Sequence, residues 1–315
     1  MTPHPRILMV TPEISYFPPG MGNGTDFLSA RAGGLADVCA DLFAALYRYG
    51  ADVHVAIPHY RSLFKGYLPH SFHRNLRKIR DRLPGERIHL AADRAFYYLQ
   101  RVYTDTRLEK IKVALAFQRE VINHIIPRVE PDLIHCNDWT TGLIPAAARR
   151  LGVPTLFTMH NVHTVKCFLA DIEDRGIDAA QFWRHLYFER MPGAYEESRW
   201  RNPVDFLASG VFAAHFVNTV SPSFLLETAR GRHAFAPLPL QLELANKIAA
   251  GCATGILNAP GSSYRPSTDR CLPLRYGARS HSAGKKKNKT VLQHRLGLMV
   301  DGQAPLFFWP SRLDP

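Results

Sequence analysis

Short apolar runs alternate with amphipathic helical patterns along most of this chain, and few folds accept that alternation. Residues 7–10, 52–57, 133–136, 155–159 and 216–220 are brief runs dominated by Ile, Leu, Val and Phe. Helical spacing separates them. It covers residues 34–49, with Leu35, Val38, Leu42, Ala45 and Leu46 on one face and Gly50 as the stop. It returns over 106–126, with Ile111, Leu115, Val121, Ile122 and Ile125 as apolar positions, and over 141–150. Ser221 and Pro222 form a helix start, serine as the cap and proline at the first helical position. Residues 88–90 and 96–99 read as a pair of extended segments. Strands alternating with helices predict an α/β fold: a doubly wound parallel sheet with helices on both faces.

Such sheets bind ligands beyond the carboxyl ends of their strands. The polar residues fall there. Arg31 to Asp37 follow the first run, with Gly33 and Gly34 opening a helix. His135, Asn137, Asp138 and Trp139 follow another, and His160, Asn161 and His163 a third. A glycine pair lets a ligand approach the backbone, and a helix N-terminus favours an anion. With the charge of Arg31 added, this segment reads as a site for nucleotide phosphates; a plain strand-to-helix turn is the alternative.

Composition removes several function classes. No apolar run approaches the ~20 residues of a membrane span. The five cysteines (39, 136, 167, 252 and 271) include no Cys-x-x-Cys, which suits reduced thiols in a cytoplasmic protein. The net charge of +12 attracts polyanions, but its densest runs, 74–82 and 285–289, lack interleaved aromatics. No nucleic-acid partner is expected, and an anionic substrate fits the charge equally well. His160 and His163 lack a His-Glu-x-x-His context, so no metal is expected. The glycines at 20, 22 and 24 are not the Gly-x-Gly-x-x-Gly of a nicotinamide enzyme, and no ribose-binding acid follows the second strand.

Residues 1–254 read as one domain. Residues 255–289, rich in Pro, Gly, Ser, Arg and Lys, read as a linker. Helical pattern then resumes near Thr290, and residues 304–309 form an apolar run expected to be a buried strand. Residues 290–315 thus read as the interrupted start of a second domain.

Four motifs in this order give the chain a family resemblance. They are Arg31-Ala-Gly-Gly-Leu-Ala-Asp-Val38; Asp132, His135, Asp138, Trp139, Gly142 and Leu143 at their spacing; Phe157-Thr-Met-His-Asn161; and Thr219-Val-Ser-Pro222. Leu257-Asn258 and Arg312-Leu313 add two further matches. The chain resembles the bacterial glycogen synthases and plant starch synthases. The resemblance implies the Rossmann-like N-terminal half of a two-domain GT-B glycosyltransferase. It implies transfer of glucose from ADP-glucose to the non-reducing end of an α-1,4-glucan, with no cofactor. By the same resemblance His160 lies beside the transferred glucose as the catalytic residue. Arg31, Gly33, Gly34, Asp37, Asp138, Asn161, Asn258 and Arg312 bind substrate, Arg31 and Arg312 at the phosphates. Arg31 replaces the family's lysine, Thr140 a common histidine, and Ala259-Pro260-Gly261 the usual Gly-x-Asp. The family's acidic donor loop would lie beyond Pro315, so the 315 residues alone are expected to be inactive. A non-catalytic glucan- or nucleotide-binding remnant is the alternative.

Overall fold

The computed structural model describes residues 5–21, 25, 28–64, 87–261 and 264–309. The basic run 74–82, the glycines at 22 and 24, and Arg312-Leu313 lie outside the described residues. The chain divides into two compact units, residues 1–258 and 259–315.

The first unit is built on a parallel sheet. Its strands are β1 (Arg6–Val10), β2 (Asp52–Pro58), β3 (Ile88–Ala91), β4 (Leu133–Asn137) and β5 (Thr155–Met159), then β8 (Phe216–Thr219) and β9 (Ala253–Gly255). Between β5 and β8 the chain forms a small antiparallel pair, β6 (Lys166–Cys167) and β7 (Val204–Asp205). The seven-stranded order is β3-β2-β1-β4-β5-β8-β9, parallel throughout. This is the doubly wound, Rossmann-like sheet that the alternation predicts. Both faces of a central parallel strand are covered, which is why these runs are apolar without alternation. Leu8, Met9, Val10, Val55, Ile57, Ile134 and Phe157 are accordingly fully buried.

Register at the centre fixes the ligand edge. Val10 lies opposite Ala56 on one side and Cys136 on the other. Chain direction reverses its route across the sheet between β1 and β4, and a crevice opens at such a point. At the opposite end of the strands, Asp52 joins Arg6 at 2.9 Å and Arg87 at 3.1 Å.

The main helices of this unit are α1 (Gly34–Arg48), α2 (Arg107–Glu120), α3 (Ile144–Arg150), α4 (Phe206–Ala213), α5 (Pro222–Ala229) and α6 (Leu238–Ala249). Thr106 caps α2, accepting from the Glu109 amide at 3.3 Å, and Ser221 caps α5, accepting from Phe224 at 3.3 Å. α2 runs on through a π-helical turn, Val121–Ile125, into Ile126–Val129. Pro127 has no N–H to donate, and the wider turn lies directly before it. The segment expected as a helix over 141–150 opens instead with a 3-10 turn, Trp139–Thr141. Gly142 follows it and permits contact with α4: a Cβ there would stand 1.9 Å from the Phe206 carbonyl oxygen.

Two expected strands are absent. Residues 96–99 do not extend; Arg94–Tyr97 is a short helix. Asp93 caps it by accepting from the Ala95 amide at 2.6 Å, while Phe96 is buried and Tyr98 exposed. A local cap decides the conformation of an aromatic run that had suggested a strand. The run 304–309 is likewise not a strand, and Phe307, Phe308 and Trp309 are exposed. A strand needs a neighbour for its backbone groups, and no described residue pairs with this one.

In the second unit, α7 (His281–Arg295) begins nine residues before the expected Thr290 and takes in the lysine run. Asn288 holds the backbone of Leu274 through two bonds, 2.8 and 2.9 Å. Buried Gln293 does the same for Asp301, at 2.9 and 3.2 Å. These amide side chains tie the Pro- and Gly-rich stretches to the helix. No helix of the described residues is long and apolar enough to cross a membrane.

Candidate active site

Three strand ends supply the polar residues at the carboxyl edge. β1 leads into Thr11-Pro12-Glu13, β4 ends at Asn137 before Asp138, and β5 leads to His160 and Asn161. The first two strands flank the reversal in strand order, and the third is the next neighbour.

Asp138 ties the last two together. Its Oδ1 accepts from the His160 amide at 2.9 Å and its Oδ2 from Asn161 Nδ2 at 2.6 Å. Burial pushes the carboxyl up to about 7, against amide hydrogen bonds that favour its ionised form. The backbone there is strained: φ is 60° and ψ is 177°, a region that only glycine enters freely. The Asp138 amide donates to Thr158 at 3.0 Å, and its carbonyl accepts from Thr141 N and Oγ1 at 3.0 and 2.9 Å. These bonds on both sides of the residue hold the strained turn.

His160 has a defined protonation state. Burial, then the neighbouring His135, lowers its pKa to about 4, so the ring is neutral near pH 7. Asn137 Nδ2 donates to the Val10 carbonyl at 3.1 Å, which leaves Asn137 Oδ1 facing His160 Nε2 at 3.0 Å. An amide oxygen only accepts, so Nε2 carries the hydrogen and Nδ1 keeps a free lone pair. His135 is neutral by the same cause, pushed down to about 4. Thr158 Oγ1 donates to Asn218 Oδ1 and so accepts from His135 Nε2, both at 2.6 Å.

The turn before α1 is also occupied from within. Glu13, 1% exposed, accepts through Oε2 from the amides of Ala32 and Gly33, the latter at 3.1 Å. Its Oε1 accepts from the Tyr103 hydroxyl at 3.2 Å. Two N–H groups expected to face a phosphate therefore serve a carboxylate of the protein itself. Arg31 reaches Asp37 at 2.6 Å, so the two charged residues expected to face the ligand bond to each other. Gly34 is different. A Cβ built there meets nothing within 4 Å, so packing in this unit does not require glycine.

Asp138, His160 and Asn161 thus share one hydrogen-bonded cluster, while Arg31 and Gly33 stand in the turn before α1 and Asp37 in the first turn of that helix. Asn258 is exposed beyond edge strand β9, three strand places from β4, and Arg312 lies outside the described residues. His163 packs its ring against Trp139, 5.4 Å between centroids. Beside the cluster, Pro12, Tyr60, Tyr103, Trp139 and Thr140 line a small pocket, and Thr140 Oγ1 is buried there without a hydrogen-bond partner. Among the described residues no group of three His, Cys, Asp or Glu stands ready for a metal ion.

Residues 6–236 match the family model of the starch synthase catalytic domain. The chain belongs to that family. All four principal motifs lie inside the matched span, whereas Asn258 and Arg312 lie after it. A glycogen synthase of Cellvibrio japonicus is 29% identical over 312 residues, covering 90% of this chain and 60% of its own. That of Nitrosomonas europaea is 29% identical over 348 residues, covering 99% and 63%. The chain therefore spans about three-fifths of the length of these relatives. Among solved structures, the catalytic domain of Arabidopsis thaliana starch synthase IV, bound to ADP and acarbose, superposes with a TM-score of 0.66. At 20% identity, covering 94% of this chain and 60% of that one, it shares the fold.

Proposed function

We propose that this chain carries the N-terminal, sugar-facing half of a glucosyltransferase that moves glucose from ADP-glucose to the non-reducing end of an α-1,4-glucan. The observation that carries the proposal is the Asp138 cluster. A neutral histidine in one tautomer, a desolvated carboxylate and the open face of Gly34 stand at the crevice of a doubly wound sheet. The relative bound to ADP and acarbose shares this fold, and its ligands are of the two classes the proposal needs.

Glucosyl transfer builds positive charge on the sugar ring and negative charge on the departing diphosphate. The first needs lone pairs, the second cations. His160 Nδ1 and the Asp138–Asn161 pair supply the first set. Arg31 supplies the second on leaving Asp37, with Arg312 assigned to the same phosphates. Gly33 and Gly34 give the donor its close approach, Asp37 receives sugar hydroxyls, and Asn258 approaches the donor from the end of the unit.

The test is incorporation of labelled glucose from ADP-glucose into glycogen, beside calorimetric titration of ADP-glucose. It uses this chain joined to the remaining two-fifths of a glycogen synthase relative, since the 315 residues alone are expected to be inactive. Gly34→Ala should leave the free energy of unfolding within about 1 kcal/mol of the parent and lower ADP-glucose affinity, because the added methyl meets only ligand. Unchanged affinity would remove Gly34 from the site. A second reading, binding without transfer, draws on the Arg31–Asp37 ion pair, which occupies both groups. Titration heat with no incorporation would select it.

A further inference from the structure

Glu13 belongs to none of the sequence motifs, yet its buried carboxylate accepts from two backbone amides and a tyrosine hydroxyl at this edge. We propose that Glu13 is a positioning residue: it holds the Arg31–Gly34 turn so that Gly34 and Arg31, and not the amides of Ala32 and Gly33, face the ligand. For the ligand, the inference rests on the function proposed above; for the geometry, it stands alone.

The base of the strut is rigid. The Thr11 amide continues the sheet by donating to Ala56 at 3.1 Å, and its hydroxyl donates to the Glu13 carbonyl at 2.8 Å. The buried Tyr60 hydroxyl donates to the Pro12 carbonyl at 2.9 Å. From this base the Glu13 side chain crosses to the turn and binds two consecutive amides through one oxygen. The other oxygen holds Tyr103. One side chain thus joins three segments that are distant in sequence. A desolvated carboxylate survives burial only with such donors, and at the N-terminus of α1 the helix dipole adds to them.

The consequence concerns where a phosphate rests. An anion at a helix N-terminus usually takes the first free amides. Here the protein has placed its own anion against Ala32 and Gly33. Their N–H groups point inward to Glu13, and the turn presents the side without a Cβ outward. A diphosphate approaching this turn meets Arg31 and the Gly34 face.

Two substitutions separate reach from charge. Glu13→Gln keeps an acceptor oxygen at the same distance, offers its amide to the Tyr103 oxygen, and loses the charge. Glu13→Asp keeps the charge and withdraws the oxygens by one carbon–carbon bond. Hydrogen exchange without ligand is expected to quicken at Ala32 and Gly33 by about tenfold or more in Glu13→Asp, the loss of one buried bond, and far less in Glu13→Gln. ADP-glucose affinity should fall in the same order, with glucan affinity unmoved. The reverse order, or unchanged exchange in Glu13→Asp, overturns the proposal. A parent that binds no ADP-glucose overturns the function instead, and the exchange measurement still decides Glu13.

Discussion

Protons report on the buried cluster residue by residue. His135 and His160 sit at about 4 in the fold and near 6.5 when unfolded. Between those values the unfolded chain takes up protons that the fold refuses, so acidification destabilises, by up to ~1.4 kcal/mol per pH unit for each ring. Asp138 acts oppositely. Its carboxyl lies near 7 in the fold and 3.8 outside it, so the fold holds a proton that the unfolded chain releases. Two rings against one carboxyl leave net acid lability between about pH 6.5 and 4, of roughly one histidine. His160→Gln is therefore expected to remove most of the pH slope of the urea midpoint over that range. A slope equal to the parent's would disprove the buried, neutral state. Asp138, His160 and Asn161 were legible in sequence because each follows a strand end in a motif. Glu13 was not, although it too follows a strand end. Nor was the role of Asn137, whose bond to Val10 spans 127 residues and leaves no local pattern.

Elements were legible where a short, mostly apolar run stood between helical patterns, as in β1, β2, β4, β5 and β8, even though His54, His135, Thr158 and Asn218 interrupt four of these strands. They were illegible where one local bond outweighed composition, as at the Asp93 cap, or where no neighbouring strand was described, as at 304–309. Gly142 belongs to this scale because it sets the distance between the turn after β4 and α4. Gly142→Ala is expected to cost about 3 kcal/mol, read as a lowered denaturant midpoint, since the methyl would need to displace the backbone at Phe206. A midpoint within error of the parent would mean that the two elements separate freely.

At the scale of the whole molecule, the sheet, the candidate cluster and the three-armed carboxylate all lie within residues 1–258. A chain ending at Asn258 is expected to unfold in one cooperative transition and to keep the exchange protection of Ala32 and Gly33. Broad, gradual melting would show that residues 259–315 belong to the same folding unit. The order of the strands also sets a timetable. β1 finds β2 early, the Arg6–Asp52 pair being 46 residues apart, but its contact with the start of β4 spans 126. At ~5–20 residues per second of synthesis, one edge of the central strand waits roughly 6–25 s for its partner to leave the ribosome. During that interval the most apolar strand of the protein is a half-made sheet, and its safety depends on whatever shields it in the cell.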